Sequence, residues 1–476
     1  MFTDIMVLRQ KITFHAIFCR NSNLTTMPPP QLKREIGLLQ ATSINMIDMV
    51  GIGPFVMMSL VIRTVGSNLF LWAWVFGAVT ALIDGMIWSE LGAAYPLAGG
   101  SYNFLKEAYG SKWGRLMSFL FVWQTCLQAP LVIASGAIGF AQYFDYLLPL
   151  GFWGKKAVSG TVVILVILLL YRNIRTIGKI SVLLWSGVII TILWIIISGF
   201  THHQVSYTCR PTGGQSLFSA SFSLLLGQAS VKTVYSFLGY YNVCHLGGEI
   251  RDPGRNIPRS IFISIVCIAV LYLLMNLSIV GVIPWQQAMH SDFIVSLFME
   301  RIYGHRTAMI ATMLVLWIAF ASLFAVVLGY SRVPYAAAVD GSFFPLFAKL
   351  HPKKSFPHVS LLFIGILGLA FSLQLKLEHA ISAILAMRIL VQFVAQAIGV
   401  VILRNRKGSD NLPFRMWLYP LPVILSIGIW LFIWYSTGIV ALYGLILALC
   451  GVIVFYLTRN RWGKVEAKTS AKQKKQ

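Results

Sequence analysis

Charge is what this chain has least of. Only 11% of its 476 residues are Asp, Glu, Lys or Arg, against about 25% in a soluble protein. Hydrophobic residues make up 57%, and the mean hydropathy is +0.76. So little charge excludes a soluble globular domain and points to a polytopic membrane protein made of apolar helices. Acids are scarcer than bases: 15 against 38, for a net charge of +23. A nucleic-acid surface gathers such charge on one face. Here the basic residues lie at the ends of apolar segments, so no nucleic-acid partner is expected.

Other absences narrow the function. The six cysteines (Cys19, Cys126, Cys209, Cys244, Cys267 and Cys450) show no CxxC or Cys/His spacing, so no metal site is expected. No GxxxxGK[ST] loop occurs, which excludes that ATP site. No repeated filter sequence supports a channel. No HxxxH cluster or Ser/His/Asp motif supports a membrane enzyme, and His202-His203 lacks partners at ligand spacing. Neither catalytic residues nor a cofactor are expected. The polar, basic start lacks the apolar core and cleavage site of a signal peptide. Met27, followed by three prolines, reads as a second start.

What is present is a series of twelve apolar stretches. They lie near 42–62, 69–93, 113–144, 157–171, 179–200, 217–248, 259–283, 308–333, 359–375, 380–403, 417–436 and 438–457. About 20 apolar residues cover the hydrocarbon core, so the expectation is an all-α protein with twelve transmembrane helices surrounded by membrane lipid. An even number puts both termini on one side. That side carries 29 Lys and Arg, the opposite loops carry 7, and Lys232 and Arg388 fall within spans. By the positive-inside rule both termini are cytoplasmic. The expected location is the cell (inner) membrane.

Two spans are interrupted. The first, Ser43–Ile62, has Gly51-Ile52-Gly53-Pro54 at its centre. Glycine adds backbone freedom, and proline removes an N–H and clashes with the preceding turn. The stretch reads either as a kinked packing helix or as a broken helix facing a cavity, where free N–H groups suit an anion. The sixth span carries Gly239 mid-way, apolar before it and polar-aromatic after it (Tyr240, Tyr241, Asn242, His245). Interrupted helices at corresponding places point to an inverted-repeat transporter with a central site. The halves share no visible sequence identity, so the repeat rests on spacing. The resulting segments are a tail at 1–41, five-helix repeats at 42–200 and 216–404, two further helices within 405–458, and a basic tail at 459–476.

Four stretches carry a family resemblance. Gly51-Ile52-Gly53-Pro54-Phe55 looks like a G-S-G-I-F turn. Ser89-Glu90-Leu91-Gly92-Ala93-Ala94-Tyr95-Pro96, with Gly99-Gly100-Ser101-Tyr102, looks like a second-helix exit. Glu249 to Pro253 and Arg255 to Arg259 resemble the loop after helix six. Gly329 to Arg332, Ala338 to Gly341, His351-Pro352 and Pro357-His358 resemble the loop after helix eight. In this order, from about residue 35 to 460, they resemble the amino acid–polyamine–organocation superfamily of transporters.

The resemblance implies the LeuT-type fold, five plus five inverted helices with helices one and six broken, and two peripheral helices. It implies a substrate between the breaks. Gly51, Ile52 and Gly53 then donate N–H groups to a carboxylate. Met49 and Tyr235, Ser236, Phe237 and Leu238 offer carbonyls to an amino group, beside Gly239. Helix six is also similar to the W-S-F-I-G of arginine/agmatine antiporter relatives, which makes Tyr235 a gating aromatic. Ile52 stands where the family has Ser, and Pro54 removes a further N–H. The lysine that many relatives carry mid-way along helix five is replaced by Trp185-Ser186-Gly187-Val188. Coupling by proton, sodium or exchange therefore stays open.

An ionisable residue in a span is a functional hypothesis by default. Asp48, one turn before the break, reads as a substrate contact or proton-coupling group, or as a structural pair with Lys232 or Arg388. Lys232 and Arg388 both read as snorkelling outward. Asp84 lies in span two. Glu90, near its cytoplasmic end, reads as solvated or capping, and His245 as a satisfied structural histidine ahead of a proton relay. The expected function is a secondary active transporter for an amino acid, with a neutral side chain favoured by the apolar Ile52, Phe237 and Leu238. A polyamine or cationic substrate is the alternative.

Overall fold

Glycine and proline decide where the first apolar helix stops. Helix α1, Leu38–Met49, ends at Val50, and α2, Gly53–Val65, starts with Pro54 in its first turn. Proline suits that position because its missing N–H would have no helical partner there. The two pieces meet at 42°. The computed structural model describes residues 32–66, 68–203, 220–374, 384, 387–408 and 412–473. The tail before residue 32 with Met27, the loop at 204–219, the junction of spans nine and ten at 375–383, and the last three residues lie outside them.

The chain continues through α3 (Leu71–Ala94), α4 (Ser101–Leu147), α5 (Phe152–Leu170) and α6 (Ile174–Thr201). Next come α7 (Ala220–Phe237), the single turn α8 (Asn242–His245), α9 (Pro253–Val280), α10 (Trp285–Ala288) and α11 (Ile294–Tyr303). Then follow α12 (His305–Tyr330), α13 (Arg332–Val339), α14 (His358–Gln374), α15 (Ala395–Lys407), α16 (Leu421–Ser436) and α17 (Val440–Gln473). A π-turn, Ile389–Val394, leads directly into α15. No strand occurs among the described residues, only isolated bridges at Ile36–Ile250 and Ala98–Leu246.

Among the described residues eight helices are long and apolar enough to cross a membrane, and the bent α1–α2 pair adds a ninth. Helices α14 and α16 are shorter apolar helices. Each of the twelve apolar stretches carries helix, and the protein is an integral, multi-pass membrane protein. The amphipathic connection after α3 is helical from Ser101 and turns at Gly110 (φ 63°) to enter the next span without a separate loop.

In lipid the hydrophobic effect does not drive helices together, so close packing at small residues matters more. At Gly85 of α3 an added Cβ would lie 2.7 Å from Ile265 Cδ1 of α9, and at Gly139 of α4 2.7 Å from Ile52 Cγ2. The approach to α1 is tied to the segment after α8. Glu35 and Ile36 both donate N–H to the Glu249 carbonyl at 3.0 Å, and Arg251 N donates to the Ile36 carbonyl at 2.9 Å. Both broken helices are thereby held from one end.

Buried ion pairs brace that end. Arg332 donates through Nε and Nη2 to the two Glu249 carboxylate oxygens at 3.0 and 2.9 Å, with both side chains buried. Arg404 does the same to Glu90 at 2.7 and 2.6 Å, and Met416 N adds a third donor at 2.8 Å. Glu90 is fully buried and paired, not solvated as its place near a span end suggested. Arg404 and the backbone at Met416 cover it from α15 and the segment before α16, so depth along α3 alone misjudges its exposure. Lys106 pairs with Asp340, which also accepts from the Tyr102 hydroxyl at 2.6 Å.

Candidate functional site

The second break matches the first. Helix α7 ends at Phe237, residues 238–241 form turns, and helix resumes only for α8 and a short 3-10 turn, Gly247–Glu249. Gly239 has φ 125°, a backbone conformation that side chains rarely adopt. A Cβ there would lie 2.7 Å from Met49 N and 2.8 Å from the Asp48 carbonyl carbon. So this glycine lets the two breaks touch.

Backbone groups freed at the breaks are partly recaptured. The Tyr272 hydroxyl lies 2.8 Å from the Met49 carbonyl and 3.1 Å from the Ser236 carbonyl, bridging the last turns of α1 and α7. Gly51 N turns back to the Met49 carbonyl at 3.1 Å. Among the described residues the N–H groups of Ile52 and Gly53 have no acceptor. The sequence placed three donors here, and the fold leaves two of them free. They head a helix N-terminus, where partial positive charge gathers.

These groups border a cavity of about 60 Å³. Its lining brings together Asp48, Met49, Gly51, Ile52, Gly53, Tyr235, Ser236, Leu238 and Gly239. Phe237 is not part of the lining. Its ring lies 6.4 Å from that of Trp74 and 5.2 Å from that of Tyr272. The rotation of α7 turns it away from the cavity. A wider groove of about 620 Å³ runs beside Leu38, Met46, Trp185 and Val270, but its lining is almost wholly apolar. The smaller cavity is the better site because polar groups converge on it.

Asp48 accepts a hydrogen bond from Asn242 Nδ2 at 2.7 Å, and the same amide nitrogen reaches the Ala325 carbonyl at 2.8 Å. No cation approaches Asp48 within 4.0 Å among the described residues. The structural ion pair with Lys232 or Arg388 is therefore not formed. Lys232 lies elsewhere, half-buried, donating to Thr64 Oγ1 at 2.9 Å. The Tyr235 hydroxyl is 3.0 Å from Ser135 Oγ, and its ring meets Gly53, where an added Cβ would come within 3.3 Å.

Arg388 corrects the sequence reading most sharply. It is 1% exposed and lines the cavity, so it does not snorkel. Nε donates to Gln392 Oε1 at 2.9 Å, and Nη2 donates to the Tyr241 hydroxyl. The rings of Tyr241, Phe393 and Tyr330 lie 5.1, 5.5 and 5.9 Å from the guanidinium carbon. The π-turn that begins one residue later alters the helical register, and such turns recur at functional sites. Distance from a span end gives depth but not rotation.

The remaining intramembrane groups have separate places. Asp84 is buried and accepts from the Tyr240 hydroxyl at 2.5 Å, Trp430 Nε1 at 3.1 Å and Ser426 Oγ at 3.3 Å, which pins α16 to the second break. His245 is buried beside the Trp88, Tyr241 and Tyr330 rings, and neither ring nitrogen has a partner among the described residues. It is packed but not hydrogen-bonded, unlike the satisfied histidine expected. Tyr241, Ser322, Tyr330 and Arg388 line the cavity without having been singled out for it. Tyr241 and Arg388 had carried signals: a polar-aromatic run after Gly239, and a charge in a span.

A family model described as "Amino acid permease" matches residues 36–458. The chain is 28% identical to the serine/threonine exchanger SteT of Bacillus subtilis (strain 168), over 90% of this chain and 98% of that protein. It is 24% identical to the branched-chain amino acid permease BcaP of the same organism, over 91% and 95%. It is 25% identical to the Asc-type amino acid transporter 1 of Mus musculus, over 90% and 81%.

Proposed function

We propose an amino acid transport function for this chain, which belongs to the amino acid permease family. Its relatives are transporters and not enzymes. The reading is a secondary active transporter that carries a neutral amino acid by alternating access, as symporter or exchanger. One observation carries it: two broken helices meet at a small cavity where, among the described residues, the Ile52 and Gly53 N–H groups have no partner. Those donors suit the substrate carboxylate, and the Ser236 carbonyl, which takes one hydrogen bond from Tyr272 and keeps a lone pair, suits its amino group, whereas Tyr272 and Gly51 already fill the Met49 carbonyl. Tyr235, packed on Gly53 and tied to Ser135, is the gating aromatic.

The proposed fold is the LeuT type. Two inverted five-helix repeats at 42–200 and 216–404 enclose the cavity, with α16 and α17 peripheral. The termini are proposed to be cytoplasmic in the cell (inner) membrane, following the 29 to 7 bias in basic residues. The bound pair at Glu249 and Arg332 then closes the cytoplasmic side. Asp48 is the proposed group through which protonation or substrate charge reaches the cavity.

A thermal-shift screen of the purified protein against twenty amino acids and several polyamines tests the substrate class. A ligand at about 100 Kd adds roughly 2.7 kcal/mol to a reversible two-state fold. Stabilisation by a neutral amino acid is expected. Stabilisation by putrescine or spermidine alone would overturn the choice. Gly53→Val should abolish that stabilisation while the apoprotein melts as a folded species, since the branched side chain would press on the Tyr235 ring.

A further inference from the structure

Arg388 presents a problem that the transport reading does not resolve. A buried cation is normally paired. Here its two hydrogen-bond partners, Gln392 and Tyr241, are both neutral. Among the described residues no carboxylate lies within 4.0 Å of it, and its hydrogen bonds leave from Nε and Nη2, with none from Nη1. The surrounding rings fix the guanidinium at the cavity wall. Asp48 mirrors it on the same cavity: among the described residues one carboxylate oxygen takes Asn242, the other takes no hydrogen bond, and no cation lies within 4.0 Å.

The α-carboxylate and amino group of a substrate already have partners at the helix breaks. What remains for the side chain is one donor wall and one acceptor wall. The charges of Asp48 and Arg388 offset each other, as do those of the zwitterion. A charged side chain would leave net charge at a site between buried helices, which is costly. An apolar one would leave both walls without a partner.

We propose, on the basis of that transport reading, that Arg388 and Asp48 select an amino acid with an uncharged, polar side chain, a hydroxyl or a carboxamide. Arg388 donates to the side-chain oxygen, and Asp48 accepts its O–H or N–H.

The test is equilibrium binding to the full-length protein in detergent. The probes are L-serine, L-asparagine, L-alanine, L-valine, L-glutamate and L-lysine. Serine or asparagine should bind about tenfold more tightly than alanine, as a hydrogen bond to a charged group provides. Arg388→Leu should remove most of that preference, and Arg388→Lys should restore part of it. Should Arg388→Leu not fold, Tyr241→Phe, which frees the guanidinium from its hydroxyl anchor, should lower the serine-to-alanine ratio. An unchanged ratio in the folded variant overturns the proposal, as does a wild-type preference for glutamate, lysine or valine. Those results leave amino acid transport standing. Binding of none of the probes, with no shift in the wider screen, removes both.

Discussion

Arg332 and Arg388 are both 1% exposed, and they differ in what faces them. Arg332 makes two charge-assisted hydrogen bonds to Glu249 and further bonds to the Leu328 carbonyl and Ser331 Oγ. Its charge is satisfied by the fold itself. Arg388 faces neutral groups and a cavity that Asp48, also without a cation within 4.0 Å among the described residues, lines as well. A paired buried charge is structural. An unpaired one beside a cavity is poised for a ligand, and its lost solvation is recovered only when that ligand arrives. The two arginines thus divide the molecule into a braced end and a responsive centre.

The largest expected effect breaks the paired side. Arg332→Gln leaves Glu249 buried without its cation, a loss of about 3–5 kcal/mol. Its melting temperature should fall well below wild type, and Glu249→Gln in the same chain should recover much of the loss. Equal melting of wild type and Arg332→Gln would erase the distinction between the two arginines.

Asp48→Asn sharpens the other side. An acceptor near the cavity changes charge while its shape is kept, so the expected effect is on transport more than on melting. A shift in substrate selectivity with an unchanged pH profile identifies a substrate contact, the outcome expected first. Loss of the pH dependence of transport identifies a proton site. Unchanged selectivity, pH dependence and stability together would leave Asp48 without a role in transport.

The smallest effect belongs to Lys232→Met. This lysine shares the membrane interior with Arg388 but sits half-buried on Thr64, away from the cavity. Losing one such bond costs about 1 kcal/mol. Uptake and selectivity should match wild type, whereas a change in selectivity would place Lys232 in the site.

The breaks were legible because their signal is local. Gly51, Gly53, Pro54 and Gly239 act through backbone conformation, which neighbouring residues along the chain reveal. Asp48 was legible as a charge in an apolar run. Phe237 and Arg388 were misplaced for one shared reason: sequence gives depth along a helix but not the direction a side chain faces. The π-turn after Arg388 compounds that uncertainty. Glu249 and Arg332 stood out only as parts of separate loop motifs. That they form one buried pair depends on bringing together positions 83 residues apart, which no local pattern encodes. Tyr330 and Ser322 carried no mark at all, since an aromatic or a serine in an apolar helix is ordinary.

The central claim is that the cavity between the two breaks carries an amino acid through the membrane. Exchange in sealed proteoliposomes tests it most directly. Vesicles preloaded with a neutral amino acid that stabilises the purified protein, without ATP, should take up the labelled form in a saturable manner. Gly53→Val vesicles containing the same amount of folded protein should not. Equal uptake by Gly53→Val and wild type, or no uptake by wild type across the neutral amino acids, would contradict the account.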